Sequence, residues 1–375
     1  MYLHGGDVYS HPNMIDFSAN INFLGAPKSV VEAAKSAMDG ICHYPQADCK
    51  RLRQAIASLE QTQAGQVVCG NGAAEVIFSL ALAEKPKKAM VFAPTFQEYE
   101  QALRSVGCEV VYETLREGYG FQIREIPKKL DPTIDMLFLC NPNNPTGTLT
   151  RQDLLRRLLF QCEQNGILLV VDECFFDFVE QKEKNQSMKR YLKASKLLFI
   201  VKAFTKTFAI PGLRLGYGLC NNPQILERMH AVTQPWNVSV PAQEAGIAAA
   251  GEPLFLEKTR QAVTREKQFL LEQLSIFLPR GEDRGNLEKR SVQGSLESSQ
   301  FFIELYGHAA NFIFFRSIPK LDQELMRYKI LIRNCSNFPG LSEGWYRIAV
   351  RTREENKKLI ACLKQIKEEI EKNEI

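Results

Sequence analysis

The segment KAFTKTFAIPGLRLGYG at 202–218 places a lysine and an arginine where both can serve one ligand. Lys206 follows an apolar run, so its amine is expected in a buried setting, where it can form a Schiff base with a carbonyl group. Arg214 follows beyond a Pro-Gly turn, and its guanidinium can bind a phosphate bidentately. A single lysine is most often a solvated surface residue, but this flanking sequence argues against that interpretation.

Asp172 ends the apolar run ILLVVDE at 167–173. A carboxylate at the carboxyl end of a buried strand can pair with a protonated pyridine nitrogen, which keeps the ring cationic and makes it an electron sink. An isolated aspartate in such a position more often caps a helix or a turn. Its place in an ordered series of motifs, between 141–147 and 202–218, favours the catalytic interpretation.

Two loops and one aromatic residue complete a possible site for a phosphorylated ring. GNGAAE at 70–75 precedes a helical pattern, so the backbone N–H groups of Gly72, Ala73 and Ala74 can bind a phosphate at a helix N-terminus, although a plain turn would look alike. In NPNNPTG at 141–147, Asn144 can donate a hydrogen bond to a phenolic oxygen. Phe96 in APTFQEYE can stack on the ring, although a lone Phe is more often a core residue.

The elements that must position these residues alternate along the chain. Short apolar runs predict buried strands, and amphipathic patterns between them predict helices; such alternation is typical of an α/β fold with a mostly parallel sheet. The predicted strands are 89–92, 136–140, 167–171 and 197–201. The predicted helices are 75–82 and 153–165, the second with Thr150 as its N-cap.

A change of pattern near residue 254 predicts a second, smaller α+β domain at the C-terminal end. It contains charged helices, the apolar run 312–315 and a helix over 353–372. We therefore expect an N-terminal arm with part of the small domain at 1–46, a large domain at 47–252 and the small domain at 253–375. The polar, Gly/Ser-rich stretch 280–300 within it predicts a mobile surface loop.

Composition narrows the class of protein. The chain has 375 residues and a formal net charge of +4, which is too small to indicate a nucleic-acid or membrane partner. Ten scattered cysteines form no CxxC pair, so we expect free thiols and no metal site. The first residues lack an apolar signal region, and no stretch approaches the roughly 20 apolar residues of a membrane span, so a cytoplasmic protein is expected.

Taken together, these motifs resemble those of the class I/II aminotransferase superfamily, the fold-type I enzymes that depend on pyridoxal 5′-phosphate (PLP). The resemblance spans nearly the whole chain and implies that Lys206 carries PLP covalently, that Asp172 is the partner of the pyridine nitrogen and that Asn144 contacts the phenolic oxygen. It also implies a homodimer in which Tyr44 reaches the other subunit's site. The implied ligands of the cofactor phosphate are Ala73, Ala74, Thr205 and Arg214.

Four further segments resemble a decarboxylase subfamily that is related to histidinol-phosphate aminotransferase. They are HGG at 4–6, DFSANIN at 16–22, PW at 235–236 and ILIRNCSNFPGLSEGWYRIAVR at 330–351. The resemblance implies decarboxylation of L-threonine O-3-phosphate to (R)-1-aminopropan-2-yl phosphate for cobalamin biosynthesis. The implied substrate-binding residues are His4, Gly5, Asn20, Asn144, Arg333 and Arg347. A carboxylate and a phosphate need separate cationic partners, and we assign the carboxylate to Arg347 and the phosphate to Arg333.

Two positions depart from the pattern of the superfamily. Phe175 replaces a Tyr that in many aminotransferases contacts the phenolic oxygen, and the loss of that donor should raise the pKa of the Schiff base. The decarboxylase subfamily also has Phe there. Ala203 replaces a Ser or Thr that binds the cofactor phosphate, a loss of roughly 1.5–3 kcal/mol unless Thr205 or a water substitutes.

Three alternatives remain open at this point. Histidinol-phosphate aminotransferase shares the cofactor motifs and also needs an arginine for a substrate phosphate. A decarboxylase could accept serine phosphate as well, because one methyl group contributes only about 0.8 kcal/mol of burial. The third is a non-catalytic PLP-binding regulator, which would need a fused nucleic-acid-binding module, and the residues before Asp16 are too few to form one.

Overall fold

A computed structural model describes residues 4–126, 130–180, 187–279 and 301–372. The loop predicted at 280–300 lies outside these described residues.

The large sheet has seven strands, and it confirms the four strands that the sequence predicted. The strands are β2 (Val67–Asn71), β3 (Lys88–Ala93), β4 (Glu109–Thr114), β5 (Met136–Cys140), β6 (Leu168–Asp172), β7 (Leu198–Ala203) and β8 (Leu215–Cys220). Their order is β2-β8-β7-β6-β5-β3-β4. Strand β8 is antiparallel to both of its neighbours, and every other pair is parallel. The prediction of a mostly parallel sheet is therefore confirmed.

Helices cover both faces of this sheet, which explains why its central strands are mostly apolar on both faces. They are α1 (Lys28–Ser36), α2 (Lys50–Glu60), α3 (Gly72–Glu84), α4 (Glu98–Ser105), α5 (Gln152–Asn165), the short α6 (Phe204–Thr207), α7 (Pro223–Val232) and α8 (Val240–Ala250). In β5, Leu137 packs in one core with residues of α2, α5 and α8, while its neighbour Phe138 packs in the other core with residues of α3, α4 and α7. Successive side chains of a strand point to opposite faces, so a strand between two helical layers is apolar on both faces except where a buried charge has partners, as Lys202 does in β7.

The start of helix α5 differs from the prediction. Its N-cap is Arg151, whose side chain makes no capping hydrogen bond, so the expectation that Thr150 caps this helix is wrong. The backbone N–H of Thr150 instead donates to Oδ1 of Asn141 at 2.8 Å. A contact with the preceding loop has replaced the local cap, and sequence proximity alone could not reveal it.

The C-terminal part forms a smaller α+β unit. It contains α9 (Pro253–Leu274), β9 (Ile303–Leu305), β10 (Phe312–Ser317), α10 (Leu321–Arg327), β11 (Ile330–Leu331), β12 (Arg333–Asn334), β13 (Trp345–Ala349) and α11 (Arg353–Lys372). Strands β12-β13-β10-β9 make an antiparallel sheet, and their apolar residues share a core with those of α9 and α11. The N-terminal strand β1 (Ile15–Asp16) pairs in parallel with β11. This pairing supports the proposed division, in which the N-terminal arm belongs partly to the small domain.

A buried group of charges holds strand β7 just before the segment that carries Lys206. Nζ of Lys202 lies 2.7 Å from Oε1 of Glu60 and 3.0 Å from Oδ1 of Asp177. Lys189 and the hydroxyl of Tyr217 also donate to Glu60, at 2.8 and 2.5 Å. Burial opposes ionisation of Glu60, but the two lysines outweigh it and lower the pKa of this carboxyl group to about 2.

We expect Glu60→Gln to lower the free energy of unfolding by roughly 3–5 kcal/mol, because it leaves buried Lys202 with less compensating charge. The folded-state pKa of Glu60 lies below its usual 4.5, so its stabilisation is present above that pH and is lost as the pH falls toward 2. Urea unfolding at pH 7 and at pH 3 measures both effects. Glu244→Gln, which breaks the more exposed pair with Arg51, is the matched control and should cost less than about 1 kcal/mol. Equal losses in the two variants would contradict the argument.

Candidate active site

The carboxyl ends of five strands, β2, β3, β5, β6 and β7, open onto one cavity of about 340 Å³. Ligands of open α/β sheets bind at this edge because the loops that follow the strands meet there. The cavity is lined by His4, Gly5, Asn20, Ala73, Ala74, Phe96, Asn144, Asp172, Phe175, Thr205, Lys206, Arg214, Arg333 and Arg347 among others. Of the residues that the sequence analysis proposed for the site, all but Gly72 and Tyr44 therefore line this one cavity.

Lys206 lies in the short helix α6, which follows directly from β7 and so projects this side chain into the cavity. Burial lowers the pKa of its amine, and the guanidinium groups of Arg347 and Arg214 lower it further. An amine with a depressed pKa is more often in the neutral form that attacks a carbonyl carbon. The position is thus suited to covalent chemistry.

Asp172 is the last residue of β6, and 5% of its surface is exposed. One carboxylate oxygen accepts from the hydroxyl of Tyr99 at 2.6 Å, and the other accepts from the backbone N–H of Cys174 at 2.8 Å. Burial raises the pKa of Asp172, while these two hydrogen bonds and the charge of Lys206 favour the ionised form. The result is a buried, oriented acid in the same cavity as the lysine.

A cradle for an anion lies at the N-terminus of α3. Gly72 has a φ of +84°, and a Cβ atom there would lie 2.6 Å from Nη2 of Arg214. A Cβ atom at Gly216 would lie 2.3 Å from the backbone nitrogen of Ala73. The glycines therefore let the guanidinium of Arg214 and the first turn of a 13-residue helix approach each other. Backbone N–H groups and a guanidinium at a helix N-terminus are a phosphate-binding arrangement.

The loop after β5 is held rigidly at the cavity wall. Asn143 is buried and accepts from Oγ1 of Thr95 at 2.7 Å, and its amide nitrogen donates to the carbonyl of Pro94 at 2.8 Å. Its neighbour Asn144 faces the cavity and accepts a hydrogen bond from the guanidinium of Arg347. This contact uses the amide oxygen, so the amide nitrogen of Asn144 is the group that can donate to a ligand.

Arg347 and Arg333 oppose each other across the pair β12 and β13, so they project from the same face of the small sheet. Arg347 also donates to the carbonyl of Ser18 at 2.8 Å, and Asn20, with its amide oxygen turned toward it, accepts at 3.2 Å. Burial lowers the pKa of Arg347 to about 10, so it is still a cation at neutral pH.

Arg333 is anchored within the small domain. Its guanidinium donates to the carbonyl of Asn334 at 2.6 Å and to Oδ1 of Asn337 at 2.9 Å, and it lies over the ring of Phe338. Burial lowers its pKa. Two guanidinium groups therefore reach the cavity from adjacent strands, on the side formed by the small domain.

Two aromatic residues and Ala203 line the region around Lys206. Phe175 packs edge-on against Phe312, with ring centroids 5.2 Å apart, and brings no hydroxyl group to the cavity. Phe96 also faces the cavity, with its edge toward Tyr99. Ala203 and Thr205 both line the cavity, so a hydroxyl group is present near the position that Ala203 leaves without one.

Tyr44 lies away from the cavity of its own chain. It is 78% exposed and stacks on Trp236, with ring centroids 4.4 Å apart. Its predicted role in the site of a second subunit stays a prediction.

The sequence analysis missed several residues of the cavity wall. They include Ser18, Gln97, Glu98, Tyr99, Cys140, Cys174 and Phe338. Gln97 and Cys174 directly flank the predicted residues Phe96 and Phe175, and Glu98 and Tyr99 follow Gln97 in the chain. Their adjacency was the available signal. It did not reveal which of the neighbouring side chains face the cavity.

The ten cysteines are free thiols. Across the described ranges, His, Cys, Asp and Glu residues form no group of three or more that could hold a metal ion. The helices of the same ranges include none that combines the length and the apolar character needed to span a membrane.

The family model described as aminotransferase class I and II matches residues 12–363. The chain belongs to this family. The fold class expected from the motifs, that of the fold-type I enzymes, is thereby confirmed.

Individual relatives refine this assignment. The threonine-phosphate decarboxylase of Salmonella typhimurium is 35% identical over 375 residues, which cover 97% of this chain and 96% of the relative. The adenosylcobalamin biosynthesis bifunctional protein CobDQ of Leptospira interrogans is 31% identical over 371 residues, 94% of this chain and 39% of that longer protein. A crystal structure of the histidinol-phosphate aminotransferase from Clostridium acetobutylicum superposes with a TM-score of 0.81 at 28% identity, covering 94% of this chain and 99% of that one.

Proposed function

We propose that this class I and II aminotransferase family member is a PLP-dependent decarboxylase that converts L-threonine O-3-phosphate into (R)-1-aminopropan-2-yl phosphate and carbon dioxide, a step of cobalamin biosynthesis. The observation that carries the proposal is the buried guanidinium of Arg347, which lies beside Lys206 and opposite Arg333. The similarity to the Salmonella typhimurium decarboxylase and to the Leptospira interrogans protein supports it.

The cavity fits PLP at each end of the cofactor. Enzymes of the family are PLP-dependent. Lys206 supplies the amine for the covalent bond, and Asp172 supplies the acid for the pyridine nitrogen. At Gly72 any other residue would place a Cβ atom against Arg214, so the glycine lets this guanidinium lie beside the N-terminus of α3, where the two together would bind the phosphate. Phe96, Phe175, Asn144, Thr205, Ala73 and Ala74 would complete the contacts with the ring and the phosphate.

When bound, PLP withdraws electrons from the Cα atom of an amino acid that is joined to it. The residues of the chain then determine which bond of Cα breaks. Arg347 binds the carboxylate and Arg333 the phosphate, and two anchors at a fixed separation fix the rotation about Cα. The hydrogen bonds from Tyr99 and from the backbone of Cys174 favour the ionised form of Asp172, which would stabilise a positive charge beside it. Lys206 or a water molecule delivers the proton that Cα needs once carbon dioxide has left.

The partners of Arg347 explain why an anion belongs here. Those that the described residues supply are neutral oxygens, from Asn144, Ser18 and Asn20. Hydrogen bonds to neutral oxygens do not cancel the charge of a guanidinium. The carboxylate of Asp16 favours that charge, but among the described residues it forms no ion pair with Arg347, so the buried charge remains costly. A carboxylate of the substrate supplies the missing negative charge and leaves the hydrogen bonds in place. An arginine that accepts a carboxylate by its planar fork would also orient it.

Histidinol-phosphate aminotransferase is the second candidate function. The superposition with the Clostridium acetobutylicum enzyme supports it to the extent that the two chains share the fold and 28% identity. Histidinol phosphate carries a phosphate but no carboxylate, so it would engage Arg333 and leave Arg347 to the second substrate, a 2-oxo acid. Phe175 and the higher identity to the decarboxylase favour the first candidate.

A product assay decides between the two. We expect the PLP-loaded protein to release carbon dioxide from phosphothreonine and to form 1-aminopropan-2-yl phosphate. The kcat/KM for phosphoserine should be only about fourfold lower, because the missing methyl group contributes about 0.8 kcal/mol. Histidinol phosphate with 2-oxoglutarate should give no glutamate. Glutamate without carbon dioxide release would reject the decarboxylase, and Lys206→Arg is the control for activity that does not depend on the covalent bond.

The role of Arg347 is tested by Arg347→Lys. An ammonium group cannot reproduce the planar fork, so kcat/KM for phosphothreonine should fall by about 10- to 150-fold, the equivalent of roughly 1.5–3 kcal/mol for hydrogen bonds to a charged group. Steady-state kinetics with carbon dioxide detection measures this. Arg351→Lys, outside the cavity and paired with Glu355, should leave kcat/KM within about twofold. An unchanged value in the Arg347 variant would show that the carboxylate binds elsewhere.

We further propose that the enzyme is a homodimer whose interface includes an exposed apolar segment. Met38, Ile41 and Tyr44 are 52%, 59% and 78% exposed within seven residues of chain, and Trp236, which stacks on Tyr44, is 46% exposed. Clustered exposed apolar residues mark interaction sites. Ile41→Asp should lower the molar mass in analytical ultracentrifugation to that of a monomer. Leu278→Asp at another exposed position is the control, and a wild-type monomer would reject the proposal.

A further inference from the structure

Glu98 is an acidic residue in a cavity that we propose binds anions, and no role in the reaction follows from the motifs. It is the first residue of α4 and lines the cavity next to Phe96 and Tyr99. Only 13% of its side chain is exposed. A buried carboxylate would repel both a substrate phosphate and a substrate carboxylate. We therefore expect Glu98 to have a role that Arg333 and Arg347 cannot fill.

The N-terminal arm holds one side of Glu98. Nδ1 of His4 lies 3.3 Å from Oε1 of Glu98. The arm itself is fixed, because the backbone N–H of Gly6 donates to Oγ of Ser18 at 2.7 Å and a Cβ atom at Gly5 would lie 2.3 Å from the carbonyl oxygen of Ser18. The contact between Glu98 and His4 is thus set by the packing of the arm.

An amide bridge holds the other side of Glu98 next to the small domain. The side chain of Gln97 donates to the carbonyl of Asn337 at 2.5 Å and accepts from its amide nitrogen at 3.0 Å. Asn337 in turn accepts from the guanidinium of Arg333 at 2.9 Å. The residue before Glu98 is therefore connected through Asn337 to Arg333, the group assigned to the phosphate. Glu98 and Arg333 are adjacent walls of one part of the cavity.

The charged groups that face Glu98 come from four elements. They are His4 of the arm, Lys206 of α6, Arg333 of β12 and Asp172 of β6. Burial raises the pKa of Glu98 to about 7, and Asp172 acts in the same direction, while Lys206 and Arg333 act against it. Burial also lowers the pKa of His4, as do Arg333 and Lys206. Burial therefore disfavours the charged form of both the carboxyl group and the imidazole at the edge of the anion site.

We propose that Glu98 is a specificity-determining residue that takes up a proton when a tetrahedral oxyanion binds beside Arg333, so that its protonated carboxyl group donates a hydrogen bond to that anion. The proton comes from solvent, and no covalent bond of the ligand changes. Arg333 then binds the anion by charge, and Glu98 binds it by a donor that exists only in the protonated state. The proposal rests on the proposed function only in requiring a phosphate group on the ligand.

The affinity for the anion should depend on pH, because binding of the anion and protonation of Glu98 are coupled. A group that is protonated in the complex and ionised in the free protein weakens binding as the pH rises through the pKa of the free protein. The affinity for an oxyanion should be highest below pH 7 and should fall by about tenfold or more between pH 7 and pH 9. Removing the charge of Glu98 should therefore strengthen binding at high pH, which is the opposite of what the loss of a simple ligand contact would cause.

The test uses the PLP-loaded protein and inorganic sulfate, which stays a dianion throughout this range, so any proton taken up enters the protein. Calorimetric titrations at pH 8 in two buffers of different ionisation enthalpy count the protons taken up per sulfate bound. The absorbance of the cofactor reports protonation at Lys206 separately. We expect an additional uptake of about 0.5–1 proton in the wild type, since one group of pKa about 7 is mostly ionised at pH 8. Glu98→Gln should abolish this uptake and bind sulfate at least about threefold more tightly at pH 9.

The matched control is Glu100→Gln, which changes a residue of the same helix that pairs with Arg104. This variant should behave as the wild type. Glu98→Met, neutral and of similar length but without a donor, should also abolish the proton uptake, which keeps the test available if Glu98→Gln folds poorly. Proton uptake that persists in the Glu98 variants, or its absence in the wild type, would overturn the proposal. Failure of the decarboxylation assay leaves the sulfate test intact, because the test needs only an oxyanion at Arg333 and no turnover.

Discussion

The burial of the Arg347 guanidinium among neutral oxygens is the constraint on which the rest of the site depends. The oxygens come from Asn144 in the large domain and from Ser18 and Asn20 in the N-terminal arm, while Arg347 itself lies in the small sheet. Hydrogen bonds satisfy the donors of the guanidinium, but its charge keeps an electrostatic demand for an anion. Arg347 therefore joins three parts of the chain and, at the same time, determines the charge of the ligand that they enclose.

Two acids in one cavity have different environments and therefore different chemistry. Asp172 accepts hydrogen bonds from Tyr99 and from a backbone N–H group, and these stabilise the carboxylate at a fully enclosed position. Glu98 has the imidazole of His4 as its near partner, and burial raises its pKa to about 7. Burial raises the pKa of both acids, but the hydrogen bonds to Asp172 oppose that rise, so we assign Asp172 the role of the anion and propose Glu98 as the proton carrier. This division suits a site that stabilises a cationic ring and accepts an anionic substrate.

The parallel sheet holds these groups at defined positions along one edge. Strands β6 and β7 are neighbours, so their carboxyl ends bring Asp172 and the segment of Lys206 to the same edge. The buried group around Glu60 and Lys202 fixes β7 just before Lys206. A lysine whose strand is anchored by several buried contacts has less freedom to leave the reactive position, which favours the orientation of reacting atoms.

The sequence alone predicted the class of the fold, which the family match confirms, and it supplied the residues that we propose as the chemical centre. Strands buried on both faces are mostly apolar, so their runs could be read directly, and Asp172, Lys206 and Arg214 lie in local motifs whose chemistry is tied to residue type. Only the tertiary structure decided how Thr150 and Glu98 are used. Thr150 was predicted to cap a helix, but its backbone N–H instead donates a hydrogen bond to the side chain of Asn141. Glu98 looks like an ordinary helix-start glutamate until the arm and the small domain enclose it. Such roles depend on burial and on partners far away in the chain, and neither is encoded in local spacing.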